Sequence, residues 1–149
     1  MKIAAKLEMG PVQKILAKHD LEKGGAVQRY IDSEVIRQCE PYVPFDSGAL
    51  NASASLNTHI GSGFVIYNTP YAHYQYYGVV YGPNIPVKGE GGQIEGWFSK
   101  PGSKKTPTGK KLQYSKEVHH LAGSHWFERM AADHKDDILE GAKKVAGVN

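Results

Sequence analysis

The stretch Ala26-Val27-Gln28-Arg29-Tyr30-Ile31-Asp32-Ser33-Glu34-Val35-Ile36-Arg37-Gln38-Cys39 predicts an amphipathic helix. Val27, Ile31, Val35 and Cys39 recur every four residues, so they fall on one face of a helix. Pro41 ends the helix, because a proline disfavours helical geometry in the residue before it. This helix is one of the two elements around which we expect the core to form.

The second long helix is predicted over Ser124–Lys144, with Ser124 as its N-cap. Its inner stripe has helical spacing, and charged residues fill the opposite face. The stripe comprises Phe127, Met130 or Ala131, His134, Ile138 and Ala142. A shorter helix is predicted over Pro11–Lys18, ahead of the glycine pair at positions 24 and 25.

Strand patterns lie between the two long helices. Leu56–Ile60 alternates apolar and polar residues, Gly61–Gly63 suits a turn, and Phe64–Tyr67 supplies a return strand. Because the hydrophobic period changes between these segments and the helices, we expect one α+β domain over residues 1–149. In it, the two main helices pack on a small, mainly antiparallel sheet.

Two short helices complete the prediction. Asp46 or Ser47 would cap one that ends at Ala52, so Asp46→Ala should cost about 0.5–2 kcal/mol. Thr69, as N-cap before a proline, would open the other, which carries Tyr71, Tyr74, Tyr76 and Tyr77 and ends at Gly78. Tyrosine is enriched at protein interfaces, so these four tyrosines are candidate interface residues. The alternative is that the domain core absorbs them.

A long segment rich in glycine, proline and lysine runs from Gly82 to Lys111, and we call it the arm. A structureless loop of this length is uncommon inside a compact domain. The arm therefore either contains short strands or docks on a neighbouring subunit. Its large apolar residues are predicted to be buried there, with Trp97 and Phe98 as the anchors beside Ile94.

Composition and motifs give no support for catalysis. The chain has 149 residues, a formal net charge of +3 and one cysteine, Cys39, which continues the apolar stripe of its helix. His119, His120 and His125 lack the spacing of a zinc site, and the Gly-Lys stretches lack that of a phosphate loop. We therefore expect no enzyme, no metal and no cofactor. No apolar stretch approaches the roughly 20 residues of a membrane span.

A basic run extends from Lys100 to Lys116 without an acidic residue inside it. It is either a solvated loop or a contact for an acidic partner or the DNA backbone. The lack of interleaved arginine argues against base stacking on the neighbouring tyrosines.

Three blocks carry a family resemblance. Tyr42-Val43-Pro44-Phe45-Asp46-Ser47-Gly48-Ala49-Leu50 resembles the Tyr-Val-Pro-x-Asp-Thr/Ser-Gly-x-Leu signature of phage minor capsid proteins, which related tail-completion and head–tail joining proteins share in looser form. Asn68–Gly78 is similar to the family's second block, Thr-Pro-Tyr-Ala-x-Tyr-x-Tyr-Tyr-Gly. Ala122–Arg129 resembles the block before its final helix. We call these blocks the signature loop, the tyrosine segment and the closing segment. The structural motif residues would be Pro44, Phe45, Asp46, Ser47, Gly48, Leu50 and Trp126.

The resemblance implies a small α+β subunit of a virion, made in the host cytoplasm, with no catalytic residues to transfer. It implies a place at the head–tail junction, in a cyclic ring with six-fold symmetry favoured and twelve-fold possible. Its neighbours would be portal, head-closure or tail proteins, with DNA only as the contents of the channel and no membrane. The alternative is a nucleic-acid-binding accessory protein that uses the Lys100–Lys116 run.

Overall fold

The computed structural model describes residues 1–3 and 24–147. The helix predicted over Pro11–Lys18 lies outside these residues. Four α-helices are described: α1 (Ala26–Cys39), α2 (Ala49–Asn57), α3 (Ala72–Tyr77) and α4 (Trp126–Val145). The described strands are β1 (Lys2–Ile3), β2 (Val65–Ile66), β3 (Val79–Gly82), β4 (Ile85–Lys88), β5 (Ile94–Phe98) and β6 (Thr106–Lys111). A 3₁₀ turn follows α1 at Glu40–Tyr42. The α+β class is confirmed.

The two long helices pack against each other and supply most of the core. α1 has the predicted bounds, and α4 begins two residues after the predicted start. Each presents one apolar face inward, as its helical period requires. The buried apolar residues are Val27, Ile31, Val35 and Cys39 from α1, and Trp126, Met130, Ile138 and Ala142 from α4.

The predicted hairpin of Leu56–Ile60 with Phe64–Tyr67 is wrong. α2 continues through Asn57, which donates a side-chain hydrogen bond to the Ser53 carbonyl at 2.8 Å, and Leu56 is 82% exposed. β2 pairs instead with β1, antiparallel, with Lys2 opposite Ile66. The partner strand comes from the start of the chain, which no local pattern at positions 56–67 could indicate.

The strands form three separate two-stranded antiparallel sheets rather than one. β3 pairs with β6, and β4 pairs with β5. The arm therefore contains strands, as one of the two sequence interpretations allowed. The β3–β6 ribbon is tied to α3, because the Leu112 amide donates to the Gly78 carbonyl at 2.9 Å.

A buried carboxylate holds the loop that leads into β2. Asp32 on α1 is fully buried, and its Oδ2 accepts the amides of Gly61 at 2.7 Å and Gly63 at 3.1 Å. Its Oδ1 accepts the Gln28 amide at 2.8 Å. A buried carboxylate is tolerated when hydrogen bonds replace its hydration, and this one thereby fixes the loop on α1.

None of the helices within the described residues is long and apolar enough to cross a bilayer.

We predict that Asp32→Ala lowers the free energy of unfolding by about 2–4 kcal/mol, since hydrogen bonds to a charged group contribute roughly 1.5–3 kcal/mol each and the glycine amides lose their acceptor. Urea denaturation followed by circular dichroism measures the change. Asp137→Ala, which removes a carboxylate whose side chain is 71% exposed, is the matched control. Equal midpoints for the two variants would contradict a structural role for Asp32.

Candidate subunit interface

Two of the three blocks singled out in the sequence, the closing segment and the tyrosine segment, meet at one indole ring. Trp126, in the closing segment, is fully buried. Tyr76 of the tyrosine segment contacts it edge-on, with ring centroids 4.6 Å apart and an interplanar angle of 88°, and Tyr67 does so at 5.2 Å and 67°. Such edge-to-face pairs add roughly 0.5–1.5 kcal/mol beyond area burial. Trp126 is thus a structural residue, and no partner can reach it.

Backbone carbonyls in and next to the signature loop and the closing segment accept hydrogen bonds from several donors. The Gly123 amide donates to the Tyr42 carbonyl at 3.2 Å, and His119 Nδ1 lies 2.7 Å from the Val43 carbonyl oxygen, to which it donates. Arg129 donates through Nε to the Ser124 carbonyl and through Nη1 to the Leu121 carbonyl, each at 2.8 Å. These bonds hold the two segments together at the start of α4.

The tyrosine segment also contacts the closing segment. The His125 amide donates to the Tyr76 carbonyl at 2.8 Å, and the Tyr76 hydroxyl donates to Glu128. Gly78 ends α3 with φ of +70°, and a Cβ there would lie 2.9 Å from the Cβ of Ser124. Only glycine permits this approach, so the predicted end of the helix is confirmed.

The predicted side-chain caps are wrong. Gly48, with φ of +83°, is the N-cap of α2, and Tyr71, rather than Thr69, is that of α3. His125, rather than Ser124, caps α4. None of the three makes a side-chain capping bond. Each helix thus begins at a residue whose side chain makes no capping hydrogen bond, so local cap preference does not decide the start.

Inside the signature loop, Pro44 and Leu50 are buried and Phe45 is half-buried against His119, with ring centroids 5.1 Å apart. Asp46 and Ser47 are exposed, and Asp46 makes no hydrogen bond within the described part of the chain. A Cβ at Gly48 would lie 3.1 Å from the Phe45 ring. The loop therefore packs through its apolar residues and presents Asp46 to solvent.

The tyrosines divide between core and surface. Tyr76 is buried, and Tyr74 is half-buried against Tyr81 at a centroid distance of 4.7 Å. Tyr71 is 69% exposed and Tyr77 is 48% exposed. Of the four tyrosines, Tyr71 and Tyr77 are therefore the ones that a partner could cover.

The hairpin of β4 and β5 carries the most exposed apolar surface, and it packs chiefly on itself. Its large apolar residues do not belong to the core of their own chain. The exposed fractions are 65% for Trp97, 51% for Phe98, 53% for Ile94, 56% for Ile85 and 46% for Val87. An exposed apolar cluster of this kind is typical of an interaction surface, so the hairpin remains a candidate interface.

A half-open groove of about 300 Å³ lies between the signature loop and the segment after β6. A smaller one of about 110 Å³ adjoins it beside Tyr71 and shares Pro44, Asp46 and Gln75 with it. Sequence reasoning missed the far wall of the larger groove, although Val118 is a lone large apolar residue among polar neighbours. That wall comprises Gln113, Tyr114, Ser115, Glu117 and Val118.

The basic run does not form one continuous face. Lys105 donates to Asn84 and Ser99, and Lys116 donates to the Ala122 carbonyl. Lys110 and Lys111 are consecutive in β6, so their side chains point to opposite sides of the ribbon. Lys100 and Lys104 remain exposed in the turn before it.

No group of three or more histidine, cysteine or acidic side chains that could hold a metal occurs within residues 1–3 and 24–147. Cys39 is buried on α1, and burial raises the pKa of its thiol to about 12. A thiol with a raised pKa is a poor nucleophile at neutral pH, which fits the structural role predicted for this residue.

A family model described as "Minor capsid protein" matches residues 3–146 of the chain. No curated protein and no solved structure matches the chain. The matched range includes the signature loop, the tyrosine segment, the arm and the closing segment.

We predict that Asp46→Ala leaves the free energy of unfolding within about 0.5 kcal/mol of the unchanged protein, since an exposed residue without a cap or partner contributes little. Leu50→Ala, at a buried position of the same signature loop, should instead cost about 2–5 kcal/mol. Thermal melts of the two variants test this. A loss of about 1 kcal/mol or more on changing Asp46 would restore the capping role.

We also predict a loss of stability at alkaline pH that depends on Tyr42. Burial, with the hydrogen bond that the hydroxyl donates to Asp133, raises the pKa of Tyr42 from 10.0 to about 12. Its contribution is therefore complete below pH 10 and is lost as the pH rises toward 12. Tyr42→Phe should lose less stability than the unchanged protein over that interval, measured by urea midpoints.

Tyr71→Phe, which removes an exposed hydroxyl, is the matched control for this measurement. Cys39, with its pKa raised from 9.0 to about 12, adds a decline that starts near pH 9 in all three proteins. An identical alkaline loss in Tyr42→Phe and the unchanged protein would contradict the prediction.

Proposed function

The chain belongs to the minor capsid protein family, which makes it a structural protein of the phage virion, and from this premise we propose that it is a subunit of the head–tail junction. In this role it forms a closed ring between portal-side and tail-side proteins. The subunit binds no cofactor and catalyses no reaction.

The observation that carries the proposal is the exposed apolar hairpin of β4 and β5. Trp97 and Phe98 are more than half exposed, and a free two-stranded hairpin is only marginally stable in water. Large aromatic side chains of this kind supply most of the binding energy when they fill a partner's pocket. The hairpin is therefore suited to a protein neighbour.

The chain also presents a second, unlike surface. Tyr71 and Tyr77 lie exposed on the tyrosine segment, and Tyr71 lines the smaller groove together with the signature loop. An interface between two unlike patches is heterologous, and such interfaces generate a ring when the rotation closes. A two-fold dimer would instead repeat one patch. Six-fold symmetry is favoured and twelve-fold symmetry is possible, on the family resemblance alone.

A place at the head–tail junction also implies which proteins would adjoin this subunit. The ring would contact itself and adjoining portal, head-closure or tail proteins, and DNA would pass through it as the contents of the channel. The basic run supports the alternative, a nucleic-acid-binding accessory protein, less well. Two of its lysines are bound within the chain, and the two in β6 face opposite ways, so a continuous phosphate-binding stripe is lacking among the described residues.

Electron microscopy of the purified protein, alone and in particles, tests the proposal. We expect rings at the portal–tail junction that persist when the salt concentration is raised, because aromatic burial is not screened by ions. DNA affinity that falls steeply with salt would instead favour the accessory protein. Protein scattered over the capsid shell, absence from particles or an isolated two-fold dimer would contradict the junction ring.

A further inference from the structure

One face of the β4–β5 hairpin presents exposed, mostly apolar side chains, and we call this face the knob. Trp97 stands opposite Pro86, and Ile94 stands opposite Lys88 across the irregular register near the tip. Side chains alternate along a strand and directly paired residues share a face, so Pro86, Lys88 and Trp97 lie on one side. Ile94 is on the same side because it pairs with Lys88 beyond the bulge, which interrupts the alternation in β5. All four are exposed. The other side carries Ile85, Val87 and Phe98.

The larger groove has the chemistry that this knob would need. Its walls include Pro44, Phe45, Tyr114 and Val118, which offer apolar contact to an aromatic ring. Its volume of about 300 Å³ is at the lower end for small-molecule sites, which suits one large side chain better than a bulky ligand. Val118 is 55% exposed, so apolar surface at the rim remains uncovered.

The polar groups are complementary as well. Asp46 and Glu117 are the charged residues that line the groove, and both are exposed acceptors without a lysine or arginine beside them in the lining. An indole N–H is only a donor, so a carboxylate at the groove would supply the acceptor that it needs on burial. Lys88, on the same face as Trp97, supplies a positive charge for the same two carboxylates.

We propose that Trp97 of one copy inserts into the groove between Phe45 and Val118 of the next copy, with Lys88 placed against Asp46 and Glu117. This pairing rests on the proposed ring and names its contact. It gives Asp46 a role between subunits, where the fold of the single chain gives it none.

A second copy is the occupant because the knob and the groove occur in the same sequence and are unlike. Each copy then donates one hairpin and accepts another, so the contact is heterologous and continues around a ring. The groove's negative lining favours a knob that carries a lysine, and an acidic residue in that position would be repelled.

Tryptophan fluorescence reports the contact directly. The chain has two tryptophans, of which Trp126 is fully buried and Trp97 is 65% exposed. Emission of the full chain should shift to shorter wavelength as its concentration rises, in step with the appearance of oligomers in sedimentation. Trp97→Phe, which keeps Trp126 as a reporter of folding, should show no shift.

Charge reversal tests the partners. Asp46→Lys and Lys88→Glu should each weaken association about tenfold or more, because like charges then meet at the contact. Combining both changes in one chain should restore it, as should mixing the two single variants in part. Lys110→Glu, at an exposed lysine outside the hairpin, is the matched control and should leave association near that of the unchanged protein.

The outcomes separate the contact from the ring. Oligomers or rings in which Trp97 emission stays that of an exposed indole would overturn the pairing and leave the ring standing. Failure of the double variant to recover would also overturn it. Absence of both the shift and any ring would reject the pairing together with the proposed function.

Discussion

The Trp126 indole, closed between Tyr67 and Tyr76, joins parts of the chain that lie far apart in sequence. It connects the first turn of α4 to α3 and to the residue after β2, so these elements share one aromatic cluster. Aromatic side chains bury roughly 150–250 Å² each, so an indole in contact with two tyrosine rings excludes water from a large part of this small domain. Near that cluster, the carbonyls of Tyr42, Val43 and Tyr76 accept hydrogen bonds. Their donors are the Gly123 amide, His119 Nδ1 and the His125 amide, respectively.

This arrangement separates two roles within the signature loop. Pro44 and Leu50 turn inward and Phe45 packs against His119, so the loop's apolar residues belong to the fold. Asp46, placed between them, has no such contact and faces the groove. A motif that looks uniform in sequence therefore contains a structural part and a part available to a partner, and burial distinguishes them.

The elements that could be predicted from the sequence are those that local chemistry decides. The apolar periodicity of α1 and α4, for example, was enough to predict both helices. The alternation of apolar and polar residues from Leu56 onward led to a wrong strand prediction, because α2 continues through Asn57. The cap predictions failed because the residues that precede α2 and α4, Gly48 and His125, have positive φ values and make no side-chain capping bond, a geometry that cap preferences do not describe. Aromatic content located the exposed interface candidates, but it also selected Tyr76, which the core absorbs. The far wall of the groove could not be foreseen, since it forms where the chain after β6 returns to the signature loop.

The arm shows why composition alone was ambiguous about burial. Its glycines, prolines and lysines cannot cover Trp97 or Phe98, and the strands β4 and β5 pair only with each other among the described strands, so both faces of the hairpin remain in water. Pairing two strands satisfies part of the backbone but buries little apolar area, which is why isolated hairpins are marginal. An exposed aromatic pair on such a hairpin is therefore costly for a solitary chain and favourable for one that meets a neighbour. The physical argument for assembly comes from this imbalance between a well-buried core around Trp126 and an uncovered arm.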